Sequence, residues 1–514
     1  MRALSRTEIG VVLLLAFAIT LAVGLRGRLV EAQVNWDGLA AVAHAYDVFR
    51  AQDNANLAMI GFVQPPLPAL LQLPVVLLIP ALATSGIAAN LLGALCAAAS
   101  AALLLGLAAD VGLSRAWRWP LVAIFALHPF VLGPAAVGAP MALLTTLLLG
   151  ASWALLRWER TESLRDLIVM SLLLSGALIT RYEAVVIVLG AMFYLAWRTW
   201  RGDRCWQKLE GTLITFALPI VYVAGIWVIA NRAIMGDAWH FARETFDTLS
   251  PAAQQATAEQ MATLVLGLAL VAFFPVLGLV YHQMRGAGRH PAAARPVAWL
   301  VFAAMVAPIA FPSVFAGLGE DGPWADLLTP LAMVLAGGFA MGAAVVGDLI
   351  HGRRQHGPMA GTLLIVVASL GVAGWLWTSE GALPVSASQA YLGQGPLADS
   401  AGEEMAAAER LRAMELPEGR RHIIAGWPGF AVALFAEHSG DGPRGQLTVV
   451  RAPELAEYVE ELWVGSTLVL LIGEDAGFAP ALVTVAGGLA PDLALSEQWQ
   501  VGQWACFRVV RRDG

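Results

Sequence analysis

The stretch PPLPALLQLPVVLLIPALA, residues 65–83, is apolar enough to enter a membrane and carries five prolines, Pro65, Pro66, Pro68, Pro74 and Pro80. How it is counted decides the fold. Apolar runs of about 17 to 25 residues, each able to cross a hydrocarbon core of about 30 Å, recur from Ile9 to Trp377. With 58% hydrophobic and 13% charged residues, against about 25% charged in ordinary soluble domains, the chain reads as a polytopic α-helical membrane protein. Cytoplasmic loops of such proteins are enriched in Lys and Arg. Basic clusters occur at Arg2/Arg6, Arg115/Arg118, Arg157/Arg160/Arg165, Arg198/Arg201/Arg204/Lys208, Arg285/Arg289/Arg295 and Arg353/Arg354. If 65–83 were a full crossing, Arg115 and Arg118 would fall outside and every later loop would invert. Each proline is also costly inside a helix. The stretch therefore reads as a half-inserted helix returning to the outer face, protected by neighbouring helices.

That assignment leaves about eleven full spans, an inside N-terminus and two parts. Residues 1–377 form the membrane module, with a first outer loop over 26–64. Residues 378–514 mix charged, apolar and turn residues and read as a soluble extracytoplasmic α/β domain. In it a charged helix is expected over 401–415, strands over 421–425, 446–450 and 466–472 and in the ending WACFRVV, and helices over 429–437 and 453–463. The first run, Ile9 to Leu25, follows Arg2 and Arg6 as a signal peptide would, yet no small-residue cleavage site follows it, so it reads as an uncleaved span.

A net charge of −7 gives no basic surface for nucleic acid. Cys96, Cys205 and Cys506 are too few and too scattered for a disulfide framework or a zinc site. No glycine-rich phosphate loop follows a strand.

On this topology the ionisable residues gather outside: Asp37, His44, Asp47 and Asp53 in the first loop, Arg181 and Glu183 at a tight connection, Asp237, His240, Arg243, Glu244 and Asp247 in GDAWHFARETFD, and Glu320 and Asp321 in GLGEDGPWAD. Ionisable groups at the membrane edge mark function by default. Each also has a plainer role. Asp37 precedes Gly38 and the helical pattern Leu39, Val42, Tyr46, Phe49, so it is a helix N-cap candidate. His44 falls on the polar side of that helix. Arg181 and Glu183 can form a local ion pair, and Glu320 and Asp321 sit in a Gly-rich turn.

The order of NWDG (35–38), QPPLP (64–68) and ITRYEA (179–184), followed by a soluble tail, resembles the GT-C membrane glycosyltransferases, in particular the branch of the protein O-mannosyltransferases and the aminoarabinose transferases of lipid A. The motifs are short, and the resemblance lies in their order and spacing over nearly the whole chain. Gln64 stands where that family has a histidine, or an acid and a lysine, before the proline pair. Pro140 stands near the place of a second aspartate, and GPWADLLTPL lacks an arginine common in relatives. The resemblance implies transfer of a sugar from a polyprenyl-phosphate donor to a protein, glycan or lipid acceptor outside the cytoplasmic membrane of a bacterium, with inversion. Asp37 would be the catalytic base or acceptor-orienting carboxylate, and Arg181 would bind the donor phosphate through its planar fork. His44, Gln64 and His240 would contact substrate, and Glu183, Glu320 and Asp321 would bind either sugar hydroxyls or a divalent cation, since hard cations take carboxylate oxygens. The competing readings are a non-catalytic scaffold whose outer domain binds a partner and, with no line of charges through the spans, less readily a transporter.

Overall fold

A computed structural model describes residues 5–50, 60–62, 64–110, 114–182, 184–243, 399–414, 422–425, 429–436, 447–450, 455, 462, 464–471, 489–490 and 492–512. The chain forms two compact units, one of 1–24, 61–68 and 90–398, the other of 25–60, 69–89 and 399–514.

The first helix, α1 (Arg6–Val30), opens on a capping box: Glu8 N–H donates to Ser5 Oγ at 3.1 Å and Ser5 N–H to Glu8 carboxylate at 3.2 Å. Glu8 also pairs with Arg115 at 2.7 Å. The helices that follow in the first unit are α5 (Ile87–Asp110), α6 (Arg115–Ala126), α7 (Pro129–Ala136), α8 (Pro140–Thr161), α9 (Leu164–Leu178), α10 (Ala184–Asp203) and α11 (Trp206–Met235). Four helices among the described residues, α1, α5, α8 and α11, are long and apolar enough to cross a membrane. The remaining expected spans between 244 and 377 lie outside the described residues.

Without a hydrophobic drive between helices in lipid, close approach and buried polar bonds hold them together. A Cβ on Gly93 would run into the backbone carbonyl of Ala135, and one on Gly24 into that of Ala136. Asn90 Nδ2 donates to the Ala136 carbonyl at 2.6 Å, and Thr146 joins α8 to α5 through the Cys96 carbonyl at 2.9 Å. Trp153 Nε1 donates to Asp110 at 2.7 Å, and buried Glu159 accepts from both Tyr194 and Arg198.

The proline-rich stretch folds as α3 (Leu67–Leu78) and α4 (Pro80–Thr84), broken where Ile79 leaves helical geometry before Pro80. Twelve residues reach about 18 Å, well short of a core of about 30 Å. Gly86, at φ +75°, turns the chain into α5.

In the second unit, β1 (Gln33–Val34) pairs antiparallel with β2 (Asp399–Ser400). It is followed by α2 (Trp36–Arg50). The later elements are α12 (Gly402–Arg412), β3 (His422–Ala425), α13 (Gly429–Ala436), β4 (Leu447–Val450), β5 (Thr467–Leu471), β6 (Leu493–Val501) and β7 (Trp504–Arg511). The sheet order is β4-β3-β5-β7-β6, with β3 parallel to β4 and β5 and with β7 antiparallel to β5 and β6. The expected strands over 421–425, 446–450 and 466–472 coincide with β3, β4 and β5. The expected helix over 453–463 lies largely outside the described residues.

Runs such as HIIA and TLVLL carry apolar residues at consecutive positions because both sheet faces are covered. Ile424, Val469, Trp504 and Cys506 face α12 and α13, while Ile423, Leu468, Leu470 and Phe507 build a second cluster on the other face. The same helix layer receives α2, whose Leu39, Val42 and Tyr46 are buried in the first of these clusters, with Trp36 edge-on to Phe430 at 6.3 Å. At the end of α1, buried Arg28 lies over the Phe435 ring at 4.7 Å and donates to the Ser85 carbonyl at 2.9 Å and to Met405 Sδ at 3.2 Å.

Candidate functional site

The expected site residues occur in both units. In the second, α2 begins at Trp36, and its cap is Asn35: Oδ1 of Asn35 accepts the Gly38 N–H at 2.9 Å. This corrects the expectation that Asp37 caps the helix. Asp37 occupies the second helical position, where its negative charge lies at the positive end of the helix dipole. It is half-buried, as is His44 seven residues on. Seven residues bring a helix back to nearly the same direction, so the two share one stripe about 10 Å apart along the axis. The flanking Ala41 and Val48 pack on Ile60 and Ala69, and the opposite face is held by the α/β layer. Asp37 thus sits on a helix fixed on two sides.

In the first unit, Gln64 and Arg181 lie on segments that the fold joins. The Leu67 N–H donates to the Ile179 carbonyl at 2.9 Å, tying the start of α3 to the turn after α9. Phe62 stacks on Trp227 of α11 with centroids 5.2 Å apart, and Trp227 Nε1 donates to the Tyr182 hydroxyl at 3.1 Å. Phe241 completes the cluster, 5.1 Å from the Tyr182 ring and 6.5 Å from that of Trp227. Arg181 and Gln64 are half-buried beside this aromatic group. QPPLP and ITRY, far apart in sequence, therefore share one neighbourhood.

His240 belongs to the turn that brings Phe241 into the cluster. Its backbone N–H donates to the Asp237 carbonyl at 3.3 Å. Asp237 receives the Trp239 N–H at 3.1 Å and Arg243 Nε at 2.9 Å. The Arg243 guanidinium, aided by that N–H, holds the Asp237 carboxyl below its ordinary value. Glu183, Glu320 and Asp321 lie outside the described residues. Among the described residues no group of three His, Cys, Asp or Glu side chains is placed to hold a metal ion.

The aromatic cluster was absent from the sequence reading. Trp227 and Phe62 each look like ordinary apolar residues locally, and only their partners distinguish them. Asn35, a preferred capping residue directly before the first helical position, is the local signal for the cap.

No protein-family model and no curated protein matches the chain. Solved structures do. ArnT from Cupriavidus metallidurans in the apo state matches over 98% of this chain and 97% of its own, with 14% identity and a TM-score of 0.50. The archaeal oligosaccharyltransferase AglB from Archaeoglobus fulgidus, in complex with an inhibitory peptide and a dolichol-phosphate, matches over 95% and 72%, with 12% identity and a TM-score of 0.50. The arabinofuranosyltransferase AftD from Mycobacteria matches over 98% of this chain and 42% of its own, with 15% identity and a TM-score of 0.51. The chain has the GT-C fold. At these identities the likeness is one of backbone architecture alone.

Proposed function

We propose that this GT-C protein is a membrane glycosyltransferase that moves a sugar from a polyprenyl-phosphate donor to an acceptor at the outer face of a bacterial cytoplasmic membrane. The observation that carries this reading is the convergence of the QPPLP and ITRY segments through Leu67–Ile179 and Phe62–Trp227–Tyr182. These are two of the segments whose order first suggested such an enzyme. AglB, of like fold, was solved with dolichol-phosphate bound, which supports a prenyl-linked donor. So does the position of Arg181 at the end of apolar helices: the lipid tail can stay in the bilayer while its phosphate meets a guanidinium.

In this reading Arg181 holds the departing phosphate by charge-assisted hydrogen bonds. Asp37 takes the proton of the attacking acceptor hydroxyl, or orients that hydroxyl. Asn35 serves as the cap, accepting the Gly38 N–H. Attack opposite the phosphate inverts the anomeric carbon. His44, Gln64 and His240 are proposed to contact the sugars, with Glu183, Glu320 and Asp321 as further carboxylates for hydroxyls or a divalent cation.

The test is incubation of the purified chain with a panel of labelled polyprenyl-phosphate sugars, following donor hydrolysis or transfer. Turnover lost in Asp37→Asn with folding retained supports the reading. A chain that turns over no donor and binds none contradicts it and favours the scaffold.

A further inference from the structure

A cavity of about 350 Å³ opens at the end of the first unit opposite the Arg181 connection, where the C-terminal ends of α8 and α10 meet the N-terminal ends of α9 and α11. Its size falls in the range of small-molecule pockets, about 300–1,000 Å³. Trp158, Leu164 and Leu167 form an apolar wall, and Arg198, Lys208, Glu162 and Thr199 supply the polar groups. Arg198 is anchored by Nε on buried Glu159 at 3.2 Å. Lys208, the single lysine of the chain, meets Glu162 at 2.6 Å, with both side chains well exposed. Arginine placement puts this end on the cytoplasmic side.

Thr199 marks the cavity as more than a packing gap. Helical threonines here usually return their hydroxyl to the carbonyl one turn back, as Thr212 does to Lys208 at 2.8 Å and Thr146 to Ala142 at 2.9 Å. Thr199 is 4% exposed, and its hydroxyl has no hydrogen-bond partner among the described residues. An unmet buried hydroxyl is costly unless a ligand meets it. Two cations and a carboxylate at one apolar-walled mouth suit a ligand carrying both signs. A purely anionic ligand would meet Glu162. An exposed ion pair is worth little, so a zwitterion can replace the Lys208–Glu162 contact bond for bond.

We propose that this cavity binds the headgroup of phosphatidylethanolamine, with Lys208, Arg198 and Thr199 on the phosphodiester and Glu162 on the ammonium. The lipid's glycerol end lies along Leu164 and Leu167. The site is separate from the transferase chemistry and holds whether or not that reading does.

The full chain in mild detergent, offered phosphatidylethanolamine, phosphatidylcholine or phosphatidylglycerol of the same acyl chains, is read by native mass spectrometry for retained lipid, with excess inorganic phosphate as competitor. One phosphatidylethanolamine should be retained above the other two lipids and resist phosphate. Lys208→Gln, at the surface, and Thr199→Val, nearly isosteric, should each cut that retention about tenfold, the scale of one hydrogen bond to a charged group, with thermal unfolding of the lipid-free protein unshifted in Lys208→Gln and unshifted or raised in Thr199→Val, which removes the unmet hydroxyl. The proposal is overturned by no retained phosphatidylethanolamine, by equal or greater retention of either other lipid, by displacement with inorganic phosphate, or by variants that retain lipid as the parent does.

Discussion

The indole N–H of Trp227 donates to the hydroxyl of Tyr182 at 3.1 Å, so a residue of α11 holds the side chain next to Arg181. Phe62 stacks on the face of that indole. Trp227→Phe keeps a ring for Phe62 and removes only the donor. It should lower stability in detergent by about 0.6 to 1.5 kcal/mol, the worth of one hydrogen bond between membrane helices. If Arg181 binds the donor phosphate, KM for the donor should rise more than kcat falls. Thermal unfolding and donor titration read the two effects.

Glu404 of α12 is buried, accepts a hydrogen bond from Trp504 Nε1 at 3.1 Å through one oxygen and has no partner for the other among the described residues. Burial raises its carboxyl above the ordinary value of 4.5. The sign follows from linkage: the folded state holds this proton more tightly than the unfolded one, so stability is greatest below the ordinary value and is lost as pH rises through the raised one. Glu404→Gln keeps an acceptor for Trp504 and removes the charge. Its melting temperature should exceed that of the parent near neutral pH, and the gap should close in acid. A gap constant across that range would mean that Glu404 does not titrate there.

The parts legible in the sequence were those fixed by local chemistry. HIIA and TLVLL fall in expected strands, whereas the break at Ile79 before Pro80 divides what read as a single half-inserted helix over 65–83. β6, LALSEQWQV, went unread because Glu497, Gln498 and Gln500 are exposed on the sheet edge and dilute the apolar signal. Pairing of Gln33 with Ser400 joins the first loop to the C-terminal part, and no local pattern encodes such a partner. The aromatic cluster beside Arg181 was hidden for the same reason. At the start of α2 the chain offered Asn35 and Asp37, two capping-type residues two positions apart, and the choice depended on whether Trp36 joined the helix.

Gly93 packs so closely on α7 that a Cβ would enter the Ala135 carbonyl. Backbone cannot yield as a side chain can, so Gly93→Ala should force α5 and α7 apart, strain the bond from Asn90 to Ala136, and cost about 1–3 kcal/mol. Gly225 in α11 has nothing within 4 Å of the same position among the described residues. Gly225→Ala should be neutral or stabilising by up to about 1 kcal/mol through helix propensity. Thermal unfolding of the pair separates close packing from a general intolerance of glycine replacement.

Asn35 and Asp37 separate structure from chemistry within one helical turn. Asn35→Ala removes the acceptor of the Gly38 N–H in a buried setting and should cost about 1 kcal/mol, with turnover falling only as far as folded protein is lost. Asp37→Asn leaves that cap intact and preserves the size of the side chain, so stability should change little. If Asp37 is the base, donor turnover should fall by about 10²- to 10⁴-fold, the usual contribution of a positioned proton acceptor. A carboxylate that only orients the acceptor would leave a smaller loss, expressed in acceptor KM. Equal stability losses in the two variants with unchanged turnover would return Asp37 to a purely structural role, and the search for the base would then move to His44 on the same stripe.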